Sequence, residues 1–269
     1  MNILMPTDFS ENAKNAAKYA LQFFQDIQCT FYFLHVLVVP STKFGTPVMV
    51  MPVEFQQKFI ILLDELETLK TNPEHVFLSS YKADYFIEAI RDQVKEKQID
   101  LILMGTKGST NEITQVVGKH TADVMMKVKC PALAISEKAI FKAHREVLFP
   151  TDYKIHYSPK MLETLLNITS LSKAKVKILE LYNSDKEPTT EQIANRLFLQ
   201  NSFSPEILKT QAFYPPKPNE KISLLEGNEE VDMVVMAARN LNLCQRLLRN
   251  QSADQIPLIR QLPLLILHG

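Results

Sequence analysis
The chain repeats itself, and the repeat limits its folds more than any other feature. Val147-Leu148-Phe149-Pro150-Thr151-Asp152-Tyr153 restates Ile3-Leu4-Met5-Pro6-Thr7-Asp8-Phe9, with Leu, Pro, Thr and Asp identical and an aromatic kept at the end. Val176-Lys177-Ile178-Leu179-Glu180-Leu181 matches the second apolar run of the first copy, residues 31–37. Residues 230–236 match residues 98–104, and from there to Pro263, which falls where Pro131 does, the copies align without a gap. A duplication on this scale argues against one large fold and for two domains of ordinary size, expected at residues 1–139 and 146–269. The charged, glycine-free segment 137–145 lies at the join.

Within the first copy, apolar periodicity alternates between two and about 3.6. Residues 3–8 read as a short buried strand ending in a carboxylate, with Ser10 as the N-cap of a helix whose apolar face is Ala13, Ala16, Ala17, Ala20, Leu21 and Phe24. A second strand follows at 31–37, aromatic and β-branched enough to be central. Residues 40–53, with Pro40, Gly45, Pro47 and Pro52, read as a loop packed over their own domain. The spacing then predicts a helix over 54–70, a strand over 75–79, a helix over 83–97, a strand ending at Met104, a helix over 121–128 and a last strand over 132–135. Such alternation implies a parallel sheet covered on both faces. In the second copy, 197–204 reads as an apolar helix end. Phe213-Tyr214-Pro215-Pro216-Lys217-Pro218 fits neither a central strand nor a helix interior, and reads as a loop before a helix near 219–226.

The two copies differ most where the first places its glycines. Only six glycines occur in the chain, and three of them, Gly105, Gly108 and Gly118, fall within fourteen positions where a buried strand gives way to a helix. Glycine permits a positive φ and lets backbone N–H groups approach an anion, and a helix N-terminus adds partial positive charge. This is a phosphate-cradle pattern. The second copy carries Ala237, Asn240 and Asn250 at those positions, with Arg239 where Lys107 stands. A Cβ at each would crowd a phosphate, so the second half is expected to keep its core and lose its ligand.

Other chemistry finds less support. Thirty basic residues balance thirty acidic ones, which gives no reason to expect nucleic acid or an anionic membrane as partner. No apolar run approaches the roughly 20 residues that span a bilayer, and the opening residues leave no room for a leader peptide, so a soluble, cytoplasmic protein is expected. Cys29, Cys130 and Cys244 are widely spaced and suit buried thiols in a reducing compartment. The six histidines lack metal-ligand spacing, and no G-x-S-x-G elbow occurs. Gly118-Lys119-His120-Thr121 is not the end of a P-loop, which would need Gly at Ile113 and Ser or Thr at His120. Asp8 is better read as a ligand-contacting or helix-capping carboxylate than as a general base.

The pattern Gly105-x2-Gly108-x9-Gly118 follows a strand ending Asp-Leu-Ile-Leu-Met, with Pro-Thr-Asp closing the first strand and Cys130-Pro131 before the last. Together these resemble the universal stress protein family. The whole chain resembles a tandem of two such domains, one polypeptide supplying both halves of what is otherwise a homodimer. The resemblance implies an adenine-nucleotide alpha-hydrolase-like (Rossmann-like) α/β fold. Each domain would be a five-stranded parallel sheet flanked by helices, the two related by a pseudo-twofold axis near their final strands as an intramolecular pseudo-dimer, with homodimerisation as a further option.

It also implies binding of ATP, or of ADP or AMP, with Mg as a candidate companion of the phosphates. Pro6, Thr7 and Asp8 would meet adenine and ribose, Val36 the base, and Met104 and Gly105 the ribose. Gly108, Gly118, Lys119, His120 and Thr121 would hold the phosphates. The family pattern continues Gly118 with Ser or Thr, whereas here Lys119 and His120 intervene before Thr121; Lys119 either pairs with phosphate or blocks it. The function implied is an ATP-binding stress-response protein with one competent site in the first domain and at most weak hydrolysis. The alternatives are a non-nucleotide-binding interaction module with closed pockets, and an ATP-consuming enzyme, for which no substrate domain is visible.

Overall fold
Ile3 and Leu4 have no exposed surface because their strand, β1 (Asn2–Pro6), is paired along both edges. The structure is a computed structural model that describes residues 1–37, 50–106, 118–143, 145–181, 187–213, 230–238 and 262–269. Two compact units divide the chain, the first ending at Phe141 and the second beginning at Lys142.

In the first unit β1 is followed by α1 (Glu11–Phe23), β2 (Thr30–Leu37), α2 (Val53–Leu69), β3 (Val76–Ala83), α3 (Phe86–Glu96), β4 (Leu101–Gly105), α4 (Lys119–Lys127) and β5 (Ala132–Ile135). The strands are parallel in the order β3-β2-β1-β4-β5. Right-handed crossovers place α1 and α2 on one face and α3 and α4 on the other, and these are the helix pairs in contact. Buried on both faces, β1 and β4 are nearly all apolar, as interior parallel strands must be. Ser10 caps α1 as the sequence predicts, its hydroxyl accepting from Ala13 N. Strand β3 runs four residues past its expected end because β2 continues to pair with it as far as Leu37 and Ala83, so α3 starts at Phe86. Helix α4 starts at Lys119, two residues early, because Gly118 is its N-cap. Cys29 and Cys130 are buried and not disulfide-bonded; burial pushes the Cys29 thiol up to about 11. Cys244 lies outside the described residues.

The second unit contains β6 (Glu146–Thr151), α5 (Pro159–Leu171), β7 (Lys175–Leu181), α6 (Thr190–Asn201), β8 (Leu208–Phe213), β9 (Val231–Ala237) and β10 (Leu264–Leu267). Its parallel order is β10-β9-β6-β7-β8. The ungapped alignment of the copies reappears as register: Met104 and Gly105 oppose Ala134 and Ile135, and Met236 and Ala237 oppose Ile266 and Leu267. One connection departs from the repeat. The cap of α1, Ser10, lies two residues after Asp8, whereas Ser158, which caps α5, lies six after Asp152. Phe213, expected in a loop, ends the edge strand β8. The remaining residues of that proline-rich segment and the helix expected near 219–226 lie outside the described residues, as does nearly all of the 40–53 loop.

Candidate functional site
Strand order reverses between β1 and β4, and open α/β sheets bind ligands in the crevice beyond the carboxyl ends of the strands at such a point. The end of β1 is a tight turn built by its own side chains. Pro6 is buried in register with Leu34. Thr7 N donates to Leu34 O at 2.8 Å, and Thr7 O accepts from His35 Nδ1 at 2.8 Å, which fixes the tautomer protonated at Nδ1. The Thr7 hydroxyl accepts from Phe9 N and the Asp8 carboxylate from Ser10 N, each at 3.0 Å. These bonds hold Phe9 at φ 62°, a left-handed conformation unusual for a bulky residue. The second unit repeats the turn: Thr151 Oγ1 accepts from Tyr153 N at 3.0 Å, Asp152 Oδ1 from Lys154 N at 3.3 Å, and Tyr153 has φ 59°. The repeated Pro-Thr-Asp-aromatic is thus a backbone device in both copies.

The end of β4 explains one glycine. Met104 is 7% exposed and Gly105 is buried. An ideal Cβ on Gly105 would stand 2.6 Å from Asn12 Nδ2 and 2.8 Å from Asn12 Cγ, far inside van der Waals contact. Asn12 is a residue the sequence reading passes over; its signal is a polar side chain four residues before Ala16 on the apolar stripe of α1. Beyond Gly105, Thr106 N donates to Ile135 O, and Thr106 O accepts from Gly118 N. Thr106 and Gly118 therefore stand side by side. Gly118 has φ −61°, a value any residue adopts, so a positive φ is not its reason. Thr121 is buried and its hydroxyl donates to Gly105 O at 2.8 Å, tying α4 to the end of β4. Lys119 and His120 are exposed, and the His120 ring lies 4.7 Å from that of Phe86. Gly108 and Lys107 lie outside the described residues.

The turn at Pro6, Thr7 and Asp8, the Met104–Gly105 end of β4 and the start of α4 therefore flank one crevice, with Val36, half-buried, near the end of β2. The two helices that begin there differ electrostatically. Helix α1 is capped by Ser10 and carries Glu11 in its first turn. Helix α4 begins at Gly118 with no side-chain cap and no acid in its first turn, and opens with Lys119. Uncapped N–H groups and the positive end of a helix suit an anion. Among the described residues no group of three or more His, Cys, Asp and Glu is placed to hold a metal ion, and no helix is long and apolar enough to cross a membrane.

In the second unit Ala237 ends β9 where Gly105 ends β4; Arg239, Asn240 and Asn250 lie outside the described residues. A polar network sits at the end of β7 instead. Glu180, 4% exposed, accepts from Tyr153 Oη at 2.8 Å, Arg196 Nε at 2.9 Å, Arg196 Nη2 at 3.3 Å and Gln200 Nε2 at 3.2 Å. Burial and then the bond to Glu180 push the Tyr153 phenol above its ordinary range. Tyr157 Oη and Thr151 Oγ1 form a second buried hydrogen bond beside it.

Comparison with known proteins agrees with this architecture. The model of the universal stress protein family matches residues 1–136. A universal stress protein from Archaeoglobus fulgidus superposes with a TM-score of 0.66 at 16% identity, over 99% of this chain and 96% of its own. A functionally unknown protein from Pseudomonas aeruginosa gives 0.58 at 14% identity, over 100% and 92%. At these identities the likeness is one of fold. No curated protein matches the chain.

Proposed function
Because the chain belongs to the universal stress protein family, we propose that it is an adenine-nucleotide-binding stress-response protein of the cytoplasm, with one nucleotide site at the strand ends of its first unit and little or no catalysis. The observation that carries this reading is the contrast between the two helix starts at the crevice: α1 is capped and acidic, whereas α4 is uncapped and opens with a lysine. ATP is the proposed ligand, with ADP and AMP as competitors for the same place. Adenine lies toward Val36 and the Pro6–Thr7–Asp8 turn, and the ribose toward Met104 and Gly105. The phosphates lie toward Gly108, Gly118, Lys119 and His120. Thr121 serves this site by fixing α4 to Gly105 through its hydroxyl. Exposed Lys119 acts as a mobile point charge at the rim. Any Mg accompanies the phosphates. The second unit, with Ala237 in place of Gly105, is proposed not to hold a nucleotide.

Calorimetry with ATP tests this, with one site per chain expected. Gly118→Asp is the decisive variant. Aspartate is a good N-cap, so helix stability should hold or rise by a few tenths of a kcal/mol. A carboxylate at the phosphate position should lower ATP affinity at least tenfold. Unchanged ATP binding in that variant would show that the phosphates do not meet α4, and two equal sites per chain would refute the assignment to the first unit. No binding of ATP, ADP or AMP by the parent chain would leave the interaction-module reading in its place.

A further inference from the structure
Beside α6 the second unit holds an open cavity of about 460 Å³, beyond the carboxyl ends of β6 and β7. In the first unit a cluster of rings stands beside the end of β2. Phe9 lies 4.9 Å from His35 and 4.9 Å from Phe59, and His35 lies 4.4 Å from Phe55. At the positions of Phe9 and His35 the second unit has hydrogen-bonding groups. Tyr153 takes the left-handed place of Phe9, and Glu180 comes one residue after the partner of Pro150 in β7 as His35 comes one after the partner of Pro6 in β2. Arg196 and Gln200, four apart on α6, bond to Glu180, whereas on α2 Phe55 packs on His35 and Phe59 on Phe9. The bonds to Glu180 gather Tyr153, Arg196 and Gln200 at one end of the cavity.

The volume falls within the roughly 300–1,000 Å³ of ordinary ligand pockets. Leu181, Pro188, Ile193 and Leu197 form an apolar wall. Both cations of the lining are held by carboxylates: Lys154 Nζ is 3.2 Å from Asp152 Oδ2, and Arg196 Nε is 2.9 Å from Glu180 Oε1. Glu187, at the rim, has no ion-pair partner among the described residues. Among the described residues, and counting buried Glu180 behind Arg196, three carboxylates stand against two cations. An anion would have to break an existing pair, whereas a cation is drawn to the rim beside an apolar wall. We propose that the second unit carries its own small-molecule site, in the open cavity beside α6, for an organic cation with an apolar body. The site is independent of the nucleotide reading and shares no residue with it.

Tryptamine is a suitable probe, because the chain contains no tryptophan and indole fluorescence reports the ligand alone. With the full-length chain, tryptamine should saturate one site, and indole-3-acetate, the same ring with a carboxylate, should bind at least tenfold more weakly. Ile193 is 49% exposed, so Ile193→Arg should fold, as its thermal melt will show, fill the cavity and abolish tryptamine binding while calorimetry with ATP is unchanged. Glu187→Gln should weaken tryptamine about threefold, the effect of an exposed charge pair. The proposal is overturned by failure of tryptamine to saturate at millimolar concentration, by equal binding of indole-3-acetate, by retained binding in folded Ile193→Arg, or by displacement of tryptamine with ATP.

Discussion
A methyl group on Gly105 has no room while Asn12 keeps its place, since the two would meet at 2.6 Å. Gly105→Ala should therefore cost about 1–3 kcal/mol in denaturant unfolding, the usual penalty for overpacking. In an Asn12→Ala background the same change should cost much less, and a double-mutant cycle measures the difference. The sequence shows a glycine after a buried strand; it does not show what stands against it, because the partner is 93 positions away on another helix. Gly118 teaches the converse. Its presence was readable, yet with φ −61° its value lies in the helix start it leaves uncapped. His75 was readable only as the beginning of a strand. It is 3% exposed, its ring is edge-on to Phe31 at 5.1 Å, and neither ring nitrogen has a hydrogen-bond partner. Burial, and then the charge of Lys70, hold it below its ordinary 6.5. The unfolded chain thus binds a proton that the folded chain refuses. Stability should be full above pH 6.5 and fall as the pH drops through that value toward the folded pKa. Urea midpoints at pH 7.5 and 5.5 should show this loss, and His75→Phe should reduce it.

Among the elements, those with strong local signals match the sequence: the Ser10 cap, the alanine stripe of α1 and the all-apolar β4 and β5. Strand β8 was not readable. Leu208-Lys209-Thr210-Gln211-Ala212-Phe213 pairs with β7 alone in its unit, and an edge strand needs no continuous apolar run. Helix α5 escaped because the repeat is broken before it, although Ser158 followed by Pro159 is itself a helix-start signal. Helix α6 opens with a complete capping box: Thr189 Oγ1 accepts from Gln192 N at 3.2 Å, and Gln192 Oε1 accepts from Thr189 N at 3.0 Å. Gln192 also donates to Asp152 O at 2.8 Å, so the cap anchors the helix to the turn after β6. Thr189→Ala should cost about 1 kcal/mol, read as a lowered denaturant midpoint with an unchanged m-value. It should also weaken tryptamine binding, because α6 forms one wall of the cavity.

For the molecule as a whole, the duplication carried most of the fold. It was readable because a buried parallel strand tolerates few residue types, so β1 and β6, and β4 and β9, still look alike. The divergence of the two sites was only half readable. Loss of glycines in the second copy is plain in the sequence. The exchange of Phe9 and His35 for Tyr153 and Glu180, with Arg196 and Gln200 gathered on Glu180, acquires meaning only when separated positions are brought to one strand end. The shared register has a practical consequence. Because β4 with β5 and β9 with β10 pair at the same offset, residues 98–135 and 230–267 are stretches of equal length that begin and end at matching places in the sheet. Transplanting the first over the second should bring a full glycine stretch to the other strand end while keeping the offset of the last two strands. A ligand pocket could thus be relocated within one polypeptide as a module, its scaffold already waiting.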